Sequence, residues 1–166
     1  MDRDIFKGVA IISYLTRGIK ERFPNKQVGK TLIQKMIYLL TRERIADYDY
    51  SLYHYGPYSG EVNSEINFCE ALGVLNIEWV LDKGYFIDVK DTSFEKFLSE
   101  EEKRKIEELI SKYGNFTAIE LSIITTALFI KDNFAIEDAR IIEVISSIKP
   151  QHSKTWIRNV LMKAGL

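Results

Sequence analysis

Apolar and polar positions separate most cleanly over residues 30–42. At about 100° per residue, Leu32, Ile33, Met36, Ile37, Leu39 and Leu40 fill one arc of a helix. Lys30, Thr31, Gln34, Lys35, Tyr38, Thr41 and Arg42 fill the other. The apolar arc is expected to face a core, which leaves Lys30, Gln34, Lys35 and Tyr38 for something else. An earlier helix is predicted over residues 4–23, where Ile5, Val9, Ile12 and Ile19 recur at helical spacing. It ends at Phe23, because the residue before Pro24 is pushed out of the α region.

Residues 48–58 are rich in β-preferring aromatics and close on Gly56 and Pro57, which predicts a strand and a turn. Ser59 is placed to cap a helix over residues 60–75, with Val62, Ile66 and Cys69 inward. Residues 77–81 and 85–89, joined by Asp82, Lys83 and Gly84, read as a β-hairpin. The order helix, helix, strand, helix, two-stranded wing is close to a winged helix, with the first strand and second helix permuted.

The remainder is helical. Ser99 with Glu102, and Thr117 with Glu120, are capping-box pairs that open helices. The second of these helices is apolar nearly all round. Two more helices are expected over residues 136–148 and 153–164, separated by Pro150. The fold class is therefore mainly helical α+β. Residues 1–92 form a winged-helix-like half packed on a C-terminal helical bundle, residues 93–166, as one continuous folded unit.

Composition changes this picture little. One cysteine, Cys69, allows no internal disulfide and lies in an apolar run, as a core hydrophobe does. No stretch approaches the roughly 18 uninterrupted apolar residues of a membrane span, and no basic-then-apolar leader pattern stands at the start. The expectation is a cytoplasmic protein with no membrane contact. Charge is unevenly placed: residues 1–44 hold ten basic against four acidic residues, and residues 45–108 hold six against fifteen. Such a dipolar chain suits an oriented contact with a partner.

Candidate chemistry is sparse. His54 and His152 lie in no catalytic motif, and no nucleophile elbow is present. Histidine, cysteine and carboxylates are not clustered at metal-ligand spacing. Gly29, Lys30 and Thr31 match the end of a phosphate-binding loop, but Pro24 and Asn25 stand where its upstream glycine belongs and no apolar strand precedes it. No catalytic residue, metal or cofactor is assigned.

Nucleic-acid binding is weighed against charge. The helix after Ser59 would present Asn63, Ser64, Asn67 and Glu70, yet no Lys or Arg occurs between Ile45 and Asp82 and seven acids do. Phosphate contacts supply most nucleic-acid affinity, so nucleic acid is disfavoured as a partner. Basic residues in two groups, Arg17 to Lys35 and Lys149 to Lys163, read as solvated helix faces.

Residues 30–40, followed by Tyr53, His54, Tyr55, Gly56, Pro57, Tyr58 and Ser59, resemble the YwgA-like and Panacea-domain proteins of prokaryotes, which include SocA-like antitoxins and GepA proteins. These share a K-L-Q-K-hydrophobic-Y-hydrophobic helix and a Y-G-P turn. Weaker matches follow at Glu120, Leu121 and Ser122 and at Lys149 and Pro150. The resemblance implies cytoplasmic, mostly helical proteins without an established enzymatic activity. Several act as antitoxins and one type as a proteolytic adaptor.

The expected function is thus a non-catalytic regulatory or adaptor protein that recognises a protein partner, in an antitoxin-like way. The expected partner surface is the polar arc of the second helix (Lys30, Gln34, Lys35, Tyr38) and the aromatic turn (Tyr53, Tyr55, Gly56, Pro57, Tyr58). Gln34 has a structural alternative, a bond from its amide to the backbone of the Gly-Pro turn. Two rivals stand beside this: a winged-helix DNA-binding regulator, and an enzyme or small-molecule binder with a tyrosine-lined cleft. A homodimer is conceivable, without a heptad seam to support it.

Overall fold

The computed structural model describes residues 5–166. Two helices, α1 (Lys7–Arg22) and α2 (Lys30–Arg42), lead into two strands, β1 (Ser51–Tyr53) and β2 (Gly56–Tyr58). Helix α3 (Gly60–Ala71) then precedes strands β3 (Leu75–Val80) and β4 (Gly84–Val89). Four helices complete the chain: α4 (Glu100–Tyr113), α5 (Ala118–Asn133), α6 (Ile141–Ile148) and α7 (Lys154–Lys163). Short 3-10 turns lie at Ser93–Phe97 and Asp138–Arg140. The class is mainly helical α+β, as the pattern predicts.

One contiguous core runs through the molecule. Helix α1 buries Val9, Ala10, Ile11, Ile12, Leu15 and Ile19, more than one stripe, because α2, α3, α4 and β4 all pack on it. Ile5 is exposed and lies outside the helix, and Asp4 lies outside the described residues. Helix α5 lies against α2, β2, α6 and α7. Both capping boxes form: Ser99 with Glu102, and Thr117 with Glu120.

Three boundaries differ from expectation for local reasons. Helix α3 stops at Ala71 rather than 75, because Gly73 takes a left-handed φ of 77° and Val74 N–H donates to Cys69 O. Helix α6 begins at Ile141 rather than 136; of the residues ahead of it only Ile136 is half-buried, and the exposed Asp138–Arg140 make a 3-10 turn.

The third difference bears on the site. Residues 48–58 form a hairpin of their own and not a strand ending in a turn. The chain reverses at His54 and Tyr55, and Gly56 and Pro57 sit in β2, paired with Tyr53 and Leu52. The β1–β2 pair and the β3–β4 pair are separate sheets. The aromatic strand therefore does not join the β3–β4 hairpin.

Candidate functional site

Two three-residue strands cannot hold a hairpin together in water. Side chains reaching out from the helices hold this one. Lys35 Nζ donates to Pro57 O at 2.8 Å, and Lys149 Nζ donates to His54 O at 2.7 Å. The Gln34 amide bonds Ser59 both ways: its nitrogen donates to Ser59 O at 2.8 Å, and its oxygen accepts from Ser59 N–H at 3.1 Å. Ser59 Oγ in turn caps α3 by accepting from Val62 N–H. Gly56 has φ of 96°, and a Cβ there would lie 2.7 Å from Thr126 Oγ1 and 3.1 Å from Ser122 O. Only a glycine lets the hairpin press this closely on α5.

Three members of the polar arc are consequently internal. Gln34, Lys35 and Tyr38 are buried, and Lys35 is only 2% exposed. Tyr38 packs edge-on against Tyr50 at 5.0 Å and near Phe129. The expectation that these three side chains face outward is corrected: the hairpin and α5 cover them. The structural alternative for Gln34 is the one observed. Burial pushes the Lys35 ammonium down to about 7, and the positive charge of Lys149 pushes the same way. Burial also lowers Lys149. Each lysine meets a backbone carbonyl, not a carboxylate.

The hairpin's outer face is different. Tyr53 is 58% and Tyr55 is 71% exposed, while Tyr58 is half-buried with its ring edge-on to Tyr53 at 5.3 Å. Gly56 and Pro57 are buried. Tyr55 lines an open cleft of about 660 Å³. Trp79 and Tyr85 of the β3–β4 hairpin, a T-shaped pair at 4.9 Å, line it too, and Trp79 is 62% exposed. The start of α2 and the start of α5, with exposed Ile119, also line it.

A smaller cleft of about 370 Å³ adjoins it, shares Lys30, Thr31, Tyr55 and Tyr85, and is lined further by Lys35, Gln34 and Asn63. Lys30 Nζ sits 4.4 Å from the Tyr85 ring centre and 3.3 Å from Asn67 Oδ1. Lys26 reaches the carbonyl of Phe116, and burial lowers its pKa.

Gln27 Nε2 donates to Lys83 O at 2.8 Å and Tyr85 O at 3.0 Å, and Ile87 N–H donates to Val28 O. These bonds fix the second hairpin to the start of α2. The site therefore combines Lys30, Tyr53 and Tyr55, read from sequence, with Lys26, Trp79, Lys83, Tyr85 and Ile119, which the sequence does not single out. Most other N-terminal cations are spent inside the molecule: Arg17 grips Glu95 through two 2.9 Å bonds and Lys20 pairs with Asp88. They are not a freely solvated basic face. Of the C-terminal cations, Lys149 is buried at His54 O and Lys163 pairs with Glu120 at 3.6 Å.

Among the described residues no group of three or more His, Cys, Asp or Glu is placed to hold a metal ion. Among those residues, neither cleft is lined by His54 or by a carboxylate. Cys69 is buried, and burial pushes its thiol up to about 12. No single helix among the described residues is long and apolar enough to cross a membrane.

A family model described as "Antitoxin SocA-like, Panacea domain" matches residues 32–128, more than half of the chain. The chain belongs to the SocA-like, Panacea-domain family. The span runs from α2 into α5 and so contains Gln34, Lys35, both hairpins and the α5 face against which Gly56 packs. The helix and the Y-G-P segment that carry the resemblance to Panacea proteins are one unit in space, joined by Lys35 and Gln34. Lys149 lies outside the matched span. No curated relative matches the chain.

Proposed function

We propose that this Panacea-domain protein is a non-catalytic regulatory or adaptor protein that acts by protein–protein recognition, in an antitoxin-like way. Its partner surface is the cleft between the two hairpins. The observation that carries this reading is that Tyr55 and Trp79, each more than half exposed, line one cleft from different hairpins. Exposed tyrosine and tryptophan give large contact area at low entropic cost, and are over-represented at interfaces. Of the residues read from sequence, Lys30, Tyr53 and Tyr55 contact the partner; Gln34, Lys35, Tyr38, Gly56 and Pro57 position the hairpin, and Tyr58 braces Tyr53.

The experiment is capture of partners by the tagged chain from its host, wild type beside a Tyr55→Ala, Trp79→Ala double variant. Loss of a specific protein in the variant, with unchanged thermal melting, supports the reading. Capture that is indifferent to both substitutions contradicts it.

The second reading treats α1 to α3 and the β3–β4 wing as a winged-helix-like DNA reader. Lys26, Lys30 and Lys83 beside the wing favour it. The outer face of α3, with Glu61 and Glu70 exposed and no cation of its own, opposes it. A gel-shift series against salt separates the two, since phosphate binding weakens steeply as salt rises.

A further inference from the structure

Among the described residues, the two adjoining clefts are lined by four lysines, Lys26, Lys30, Lys35 and Lys83, and by no carboxylate. The whole chain carries a net charge of −1 with 24 acidic residues, so this is a local excess. Among the described residues Lys30 and Lys83 form no ion pair; Lys30 has only Asn67 and the Tyr85 ring. Helix α2 opens into the larger cleft at Gly29 with no side-chain cap and no acid in its first turn. Its dipole adds to the preference for negative charge.

Apolar contact area stands beside these charges. Ile119 at the start of α5, which lines the larger cleft, is 58% exposed. With Tyr55 and Trp79 it gives that cleft apolar lining beside Lys26, Lys30 and Lys83.

A peptide fits this arrangement better than a nucleic acid does. The Tyr85 ring already has Lys30 over one face and Trp79 in T-shaped contact, so that face is not free to stack on a base. A nucleic acid carries a phosphate at every nucleotide and would find no cation on the adjoining α3 face, with Glu61 and Glu70 exposed, whereas a peptide carries acids only where they are needed.

We propose that this cleft binds an acidic, extended segment of a protein partner, its carboxylates meeting Lys26, Lys30 and Lys83 and its apolar side chains resting on Tyr55 and Trp79. This rests on the protein-recognition reading above and adds the chemistry of the partner. Charge complementarity of this kind sets partner choice and association rate.

The test is selection of a random phage-displayed peptide library on the immobilised full chain, with a labelled oligothymidylate as a separate probe. Selected peptides are expected to be enriched in Asp and Glu interleaved with aromatic or leucine residues. They are expected to bind Lys83→Glu, and the double variant Lys30→Glu, Lys83→Glu, at least about tenfold more weakly.

Lys83 is solvent-exposed, so the single variant keeps the test valid if the double variant folds poorly. Failure to select peptides, peptides without acidic enrichment, or oligothymidylate binding tighter than the selected peptides would each overturn the proposal. A natural partner whose capture depends on Tyr55 and Trp79 but not on these lysines would sink this inference alone. Capture that depends on neither would sink the protein-recognition site itself.

Discussion

The two hairpins reach the same cleft by opposite means. The β3–β4 hairpin pairs six residues on each strand and carries its own ladder. The β1–β2 hairpin pairs three on each and depends on Lys35, Lys149 and Gln34 for its shape. In the first case exposed aromatics ride on backbone pairing. In the second they ride on buried polar side chains, so damage deep in the molecule reaches the surface. Substitutions at matched positions of the two hairpins should therefore differ in size.

The largest contrast is between two glycines of similar φ. Gly56→Ala combines a φ of 96° with a Cβ 2.7 Å from Thr126 Oγ1. It is expected to cost about 3 kcal/mol in urea unfolding. Gly84 has a φ of 89° but no atom nearer than 3.8 Å. Gly84→Ala is expected to cost about 1 kcal/mol.

Next is Gln34→Leu, which strips the buried Ser59 N–H of its partner and leaves the Ser59 carbonyl with Asn63 N–H alone. A loss of about 2 kcal/mol is expected. The same substitution at Gln27, whose bonds to the second hairpin are exposed, should cost less than about 1 kcal/mol.

Per pH unit, a smaller effect follows pH. Lys35 titrates at about 7 in the folded chain against 10.5 unperturbed. Between these values the unfolded chain binds more protons, so stability rises with pH; below 7 both states are protonated and the burial cost is fully present. Lys149 acts in the same direction. Above pH 9 the buried Cys69 thiol works the other way, since only the unfolded chain releases its proton there. Unfolding free energies from urea titrations are therefore expected to rise from pH 7 to 9, by at most about 1.4 kcal/mol per pH unit for each lysine. Lys35→Met should flatten the slope.

Element types were legible because α2, α4, α5 and the β3–β4 hairpin each carry a complete local signal: a stripe, a capping box or paired β-branched and aromatic residues. The site was legible only in part. Helical periodicity correctly grouped Gln34, Lys35 and Tyr38 on the arc away from the hydrophobic stripe. It could not say that a short hairpin and α5 would cover that arc, because the covering bonds span 22 to 95 residues of sequence. The Lys149 contact leaves no local trace at all. Trp79 and Tyr85 read as strand formers, and nothing in an alternating pattern says which face of a two-stranded hairpin stays bare.

The smallest effect on stability carries the largest consequence for function. Tyr55→Ala and Trp79→Ala each remove an exposed ring, and each is expected to change unfolding free energy by less than about 0.5 kcal/mol. The decisive measurement is binding of a captured partner to this double variant, followed by titration calorimetry beside the wild type. A drop of at least about a hundredfold in affinity with unchanged melting is the expected result. Equal affinity in both proteins would mean that the cleft between the hairpins is not where this chain meets its partner.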